Sequence, residues 1–273
     1  MMGVTRESPG GSFFDVTTGG TVQVQLQQVG AEFQMLRQIG YLDPHHPREP
    51  FIFPRDPAKF RTDLASIPWF FGWLIPGLGS HLPAILLHDA LVREPGTPPD
   101  HVGPPVDREE ADRILRDAMA GLGTPVVRRW LIWTGVTLAT AVTTLRPRWY
   151  WAPVAVGTLV LVTVLGTVAT LDLFDVWDVL PWMGTRPWPA ELIWGAVFAV
   201  LIPAVLSLLW GRLWRAGLIA GVSLALLLHV TAAVIAVYSV YWLIEWVVSA
   251  PEGLTANVDA NRRRRGYRTP GAS

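Results

Sequence analysis

The chain has 273 residues, 22 Lys and Arg against 22 Asp and Glu, no cysteine, and 51% hydrophobic residues including 14 tryptophans. That length accommodates about two domains, and the balanced charge excludes a nucleic-acid binder held by phosphate neutralisation. Without cysteine there can be no disulfide, no thiolate nucleophile and no cysteine-ligated zinc.

Residues 1–14 are rich in Gly, Ser and Pro with little to bury, and read as a disordered N-terminus. They hold Arg6 and Glu7 but no apolar core of signal-peptide length, so the front half is expected in the cytoplasm. A soluble domain is expected over 15–148. Val22, Val24 and Leu26 alternate with Gln23, Gln25 and Gln27, the period-two pattern of a half-buried strand. Phe33 to Ile39 can pair with it after a turn at Gly30, and a proline-rich loop then passes through His45 and His46. Phe51 to Phe53 and the stretch around Phe60 supply further short strands. Next comes a dense aromatic run, Trp69, Phe70, Phe71 and Trp73, which fits either an exposed patch for a partner or the bilayer surface, or core packing on the helix that follows.

That helix is expected over Leu82 to Val92, with Pro83 tolerated in its first turn and His88-Asp89 inside it. Asp107 can cap the next one, with Glu110 at the capping-box position. Ile114, Leu115, Ala118, Met119 and Leu122 give it an apolar face, and Gly123 with Pro125 ends it. Trp130 to Leu145 is uncharged, and Thr134, Thr137, Thr140, Thr143 and Thr144 recur at helical steps as a polar stripe. It reads as the last helix of the soluble domain, lying near or along the membrane.

Beyond Arg148 the charge stops. Up to Ile244 only Asp172, Asp175, Asp178, Arg186, Glu191, Arg212 and Arg215 are charged. A helix needs roughly 20 apolar residues to cross a bilayer, so the expectation is about three spans, near 150–171, 192–211 and 216–244, in a membrane region over 149–248. His229 and Glu245 lie in or beside the last; a polar group at that depth hints at function, while a packed or interfacial side chain is the plainer reading. Trp149, Trp151, Trp177, Trp182 and Trp188 suit the headgroup level. Arg146, Arg148, Arg212 and Arg215 mark the cytoplasmic side, so the acids of the 172–191 loop face outward, as solvated groups or as a cation site. Residues 249–273 form a basic tail, expected to be disordered, whose side of the membrane depends on the number of spans.

The ordered set Thr62-Asp63-x-Ala65-Ser66-x-Pro68, His88-Asp89-x-Leu91, Arg108-x-x-x-Asp112-Arg113 and Arg128-Arg129-Trp130-Leu131 resembles the phage-associated domain-of-unknown-function family 1353 over about residues 15–145. Ala90 and Val92 stand where that family often carries aromatics. The resemblance implies a small α+β domain of phage and prophage gene sets with no settled activity, here joined to an all-α transmembrane region.

Two readings of the polar residues remain open. Asp63, His88, Asp89 and Asp112 offer nitrogen and oxygen ligands suited to a divalent metal, as in a membrane-tethered metal-dependent hydrolase; His81, seven residues before His88, could share its face. Alternatively they form a buried hydrogen-bond network, with Asp63 capping the turn before Ser66 and no cofactor. Ser66 lacks the surroundings of a nucleophile elbow. The preferred expectation is a non-enzymatic, multi-pass adaptor in the cytoplasmic membrane, its N-terminal domain inside the cell. Its partners would be the bilayer and a protein, such as a baseplate or tail component of a phage-like, contractile injection assembly, with homo-oligomerisation allowed and nucleic acid excluded. A holin-like pore is the third reading.

Overall fold

The computed structural model describes residues 11–64, 78–92, 97–184 and 186–266, those after 248 by backbone alone. A small strand-containing N-terminal region is followed by a mostly helical remainder. Strands β1 (Ser12–Asp15), β4 (Ile39–Leu42) and β5 (Phe51–Phe53) form an antiparallel sheet in the order β1-β4-β5. Strands β2 (Leu26–Val29) and β3 (Glu32–Met35) form a separate hairpin, in which Leu26 faces Met35 and Gly30 takes φ +67° at the turn. Pairing across Gly30 therefore follows the expectation. The strand is displaced from it, because Val22 to Gln25 lie outside any strand. Around Phe60 the described residues make an isolated bridge, Phe33 to Thr62, and no strand. The described chain also begins its first strand at Ser12, inside the segment expected to be disordered.

Helices α1 (Leu82–Leu91), α2 (Arg108–Gly121) and α3 (Val126–Thr143) lie side by side, with α2 in contact with both others. Pro83 sits in the first turn of α1, where its missing N–H costs nothing. Asp107 caps α2 by accepting from the Glu110 N–H at 2.8 Å. Ala111, Ile114, Leu115, Ala118 and Met119 on the inner face of α2 are buried, and Leu122 packs beside them. With Tyr41, Phe51, Phe53, Leu86 and Leu87 they make one core, in which each large apolar side chain contributes about 1.5–3 kcal/mol. Nearly all of α1 is buried, so its single histidine is carried into that core.

The threonine stripe of α3 turns largely inward. Thr134, Thr137 and Thr140 are buried, and only Thr143 and Thr144 are exposed. Of the three, Thr140 donates its hydroxyl to Asp112 Oδ2.

Helix α4 (Arg148–Leu173) follows, then α5 (Trp188–Ser207), a 3-10 turn (Leu208–Leu213) and α6 (Trp214–Gly266). Two helical stretches are long and apolar enough to cross a membrane, Arg148–Leu173 and Trp188–Val248, not the three of the sequence reading. The reason is local: the second and third apolar runs are joined through a turn that is itself helical, with Gly211 at φ 49°, ψ −118° as its break. Large side chains such as Val160, Val164, Ile193, Leu201 and Val205 stand exposed on these helices. Helix α6 continues to Gly266, through a segment expected to lack regular structure.

The chain divides into compact units at 1–226 and 227–273. The first does not break at residue 148, because a second core ties α3 to the membrane-type helices. Trp133, Leu145, Trp151, Ala155, Trp210, Leu213 and Ala216 bury one another there. Trp210 is wholly buried, its indole N–H donating to Thr158 Oγ1 at 3.1 Å. A Cβ on Gly217 would lie 2.5 Å from the Trp210 ring. Gly217→Leu is therefore expected to cost at least about 1–3 kcal/mol. Gly157→Leu, where a Cβ meets nothing within 4 Å, should be near neutral. Thermal melts of the full chain in detergent, followed by circular dichroism, compare the two.

Candidate functional site

Of the four candidate ligands, the structure joins His88 and Asp112. His88 Nε2 lies 2.8 Å from Asp112 Oδ1, and Thr140 Oγ1 donates to Asp112 Oδ2 at 2.7 Å. The three side chains come from α1, α2 and α3, and all are buried. One carboxylate thus bridges three neighbouring helices and uses both oxygens to do so. His81 is also buried, at the start of α1.

Asp89 turns elsewhere and accepts from Thr62 Oγ1 at 2.7 Å. The same Thr62 hydroxyl accepts from the Leu64 N–H at 2.9 Å; the turn before Ser66 that Asp63 was expected to cap lies outside the described residues. Leu64 holds φ +69°, a strained value for a branched side chain, and this bond helps to sustain it. Asp63 is exposed. The aromatic candidates Trp69, Phe70, Phe71 and Trp73, together with Ser66, lie outside the described residues.

A second cluster was not foreseen. Arg113, next to Asp112 on α2, donates to Asp43 at 2.7 and 3.3 Å, to Glu110 at 2.7 and 2.9 Å, and to Asp117 at 2.8 Å. Nη1, whose two hydrogens are shared among three acceptors, also lies 3.0 Å from His45 Nδ1, which must accept because a guanidinium only donates. Asp43, wholly buried at the end of β4, also bonds His46 Nδ1 at 3.0 Å. Burial alone would raise the Asp43 carboxyl, but Arg113 and His46 outweigh it and hold it below the usual carboxylate range. Glu110 is held low mainly by its bond to Arg113. Tyr41 is pushed up by burial and then by the charges of Asp43 and Asp117, so its phenol stays neutral.

Among the described residues, Asp43, His46 and Glu110 are the group whose possible ligand atoms all lie within 4.8 Å of one another. Carboxylates and imidazole suit a divalent cation. Here the guanidinium of Arg113 already stands between the two carboxylates, so a metal would have to displace it.

The depressed carboxyls set a pH dependence. Their bonding contributes fully above the ordinary carboxylate range, near pH 4, and is lost as pH falls through the lower folded-state values. The melting temperature of the full chain in detergent is expected to hold from pH 7 to about 5 and to fall steeply below about 4.

The membrane-interface candidates separate by burial. Trp149, Trp177 and Trp188 are largely exposed, as an interfacial role requires, whereas Trp151 is buried in the second core. Trp182 stacks on Phe198 at 4.6 Å. Arg212 binds Glu109 of α2 through two bonds of 2.6 and 2.9 Å and lies 5.1 Å from the Trp151 ring. This brings the turn before α6 onto the N-terminal domain, at the end of α4 that carries Arg146 and Arg148. Arg215 lies over Trp214 at 5.5 Å. Asp172, expected to be a solvated acid, is instead buried and accepts from the Val179 and Leu180 N–H groups at 3.0 and 2.8 Å. The loop backbone supplies its partners, while Asp175 and Asp178 remain exposed.

Residues 47–136 match the model of a family described as a protein of unknown function, DUF1353. The matched segment carries His88, Asp89, Asp112 and Arg113 and stops before Thr140 and the membrane-type helices. No curated protein and no solved structure matches the chain.

Proposed function

We propose that the chain is a membrane-anchored adaptor that docks a phage-like, contractile-tail-like assembly at the cytoplasmic face of the membrane through its N-terminal domain. The observation that carries this reading is the join between the two parts. The Trp151–Trp210 core and the Arg212–Glu109 pair fasten the domain directly to the apolar helices, where a flexible linker would have left it free. The domain is thereby held at one end of helices whose apolar side chains face outward.

Arg146, Arg148, Arg212 and Arg215 lie at the domain end of these helices, while Asp175 and Asp178, with the single arginine Arg186, follow the opposite end of α4. Basic residues favour the cytoplasmic side, which supports a domain facing the cytoplasm. The inward use of His88, Asp112 and Thr140 favours an interaction role over a hydrolytic one, since a substrate needs access to the reacting groups. The link to a tail-like assembly rests on the phage-family resemblance alone, and is therefore association rather than mechanism.

Fractionation of cells that make such an assembly tests the proposal. Baseplate or tube components are expected to leave the membrane fraction when the chain is deleted, and to return when it is restored. Their undiminished retention without the chain would refute the adaptor role.

A further inference from the structure

We infer that the groove between α3 and the start of α6 binds one anionic phospholipid, its acyl chain along the groove and its phosphate on Arg215. This rests on the membrane reading above and goes beyond it by naming a ligand. The groove has a volume of about 440 Å³ and an almost wholly apolar lining, which includes Val127, Trp130 and Leu131 from α3 and Leu218 and Ile219 from α6. That volume falls within the usual range for small-molecule sites.

Three observations select the occupant. First, α6 forms one wall and belongs to a stretch apolar enough to cross a membrane, so the groove runs alongside that stretch. From Trp214 to Ser223 it follows α6 for about 14 Å at 1.5 Å per residue, the scale of part of an acyl chain. Second, the rim is exposed, with Val127 71% and Trp214 45% accessible, as suits a slot open to lipid. Third, the charge is complementary to a phosphate. Arg215 lines the groove, is exposed, and has no carboxylate partner among the described residues, whereas Arg212 nearby is taken by Glu109. Cationic side chains at a membrane boundary favour anionic headgroups over zwitterionic ones, whose own ammonium they repel. The indole of Trp214 beneath Arg215 supplies the aromatic body preferred at that depth.

The test is native mass spectrometry of the full chain in a neutral detergent, titrated with dioleoyl phosphatidylglycerol or dioleoyl phosphatidylcholine. One phosphatidylglycerol per chain is expected to bind saturably, about fivefold or more tighter than phosphatidylcholine. Arg215→Gln should bring the two lipids to the same affinity. Leu218→Trp, which fills the groove, should weaken phosphatidylglycerol about tenfold; Val127→Trp at the rim does the same without touching α6. Val160→Trp, on an exposed face of α4, should change nothing.

Equal affinity for both lipids, or unaltered binding by both groove-filling variants, would overturn the site. So would a dimer that Leu218→Trp converts to monomer, which would assign the groove to a second copy. Alkaline carbonate extraction of membranes separates the two levels. Release of the chain would sink the membrane reading itself, while retention without a saturable lipid overturns only the lipid site.

Discussion

Arg113→Met is expected to destabilise the N-terminal domain by about 3–5 kcal/mol, the cost of breaking a buried ion pair by removing one partner. The guanidinium holds Asp43, Glu110 and Asp117 together, and Asp43 has no solvent access. Without it, Glu110 and Asp117 confront the wholly buried Asp43. Lysine keeps the charge but cannot reach three carboxylates with a planar fork, so Arg113→Lys should recover only part of the loss. The pH profile gives a second readout that simple loss of packing would not. In the parent chain the carboxyls are held low, and stability falls on acidification. In Arg113→Met only the histidines beside Asp43 still oppose burial, so its carboxyl rises and the loss of stability on acidification should become shallower than in the parent. Chemical denaturation of the full chain in detergent at several pH values measures both effects. A variant that keeps the parent's acid-side slope would show that Arg113 does not set the charge balance of this cluster.

The second large effect is expected at Asp112. Asp112→Ala leaves His88 and the Thr140 hydroxyl buried with that partner removed, at about 1–3 kcal/mol for each orphaned group. The bridge across α1, α2 and α3 is lost with it, so a total of about 3–5 kcal/mol is expected. Asp112→Asn keeps the volume and one acceptor and should cost roughly half as much. Asp89→Asn, which weakens the half-buried bond to Thr62, should be milder still. If the purified full chain instead carried stoichiometric divalent metal, lost in His88→Ala with no change in melting temperature, the structural role would give way to a metal centre.

Much of the helical layer was legible in the sequence because its signals are local. Asp107 with Glu110 marked the start of α2, Pro83 the first turn of α1, and the spacing from Ile114 to Met119 the buried face. The threonine stripe was recognised as one face of α3, but its direction was not. Nothing within α3 announces an acceptor contributed by α2. The strand expected from Val22 to Gln27 shows a related limit. Val22 and Val24 do pack on the core, yet the ladder begins only at Leu26. Alternation reports which side a residue faces, not whether a neighbouring strand is present to pair.

The Arg113 cluster escaped notice because Asp43 is 70 residues away from its partner. Its half on α2 was visible in principle: Glu110, Arg113 and Asp117 sit at i, i+3 and i+7, a basic residue flanked by acids on one helical face. In the metal reading Asp63 was a candidate and Asp43 was not, although Asp63 is exposed and Asp43 lies buried beside His46. At the other end of the chain, composition disclosed the apolar stretches. It could not disclose that a 3-10 turn joins two of them, since Gly211 breaks the helix through its backbone and not through polarity.

The absence of native cysteine permits a clean topological measurement on the whole protein. Single cysteines at Glu49 in the N-terminal domain and at Asp178 in the loop after α4 occupy exposed positions. With a membrane-impermeant maleimide on intact spheroplasts, Asp178→Cys is expected to react, and Glu49→Cys only after the membrane is opened. Equal labelling of both before permeabilisation, or labelling of Glu49→Cys alone, would contradict a domain held at the cytoplasmic face by the helices that follow it.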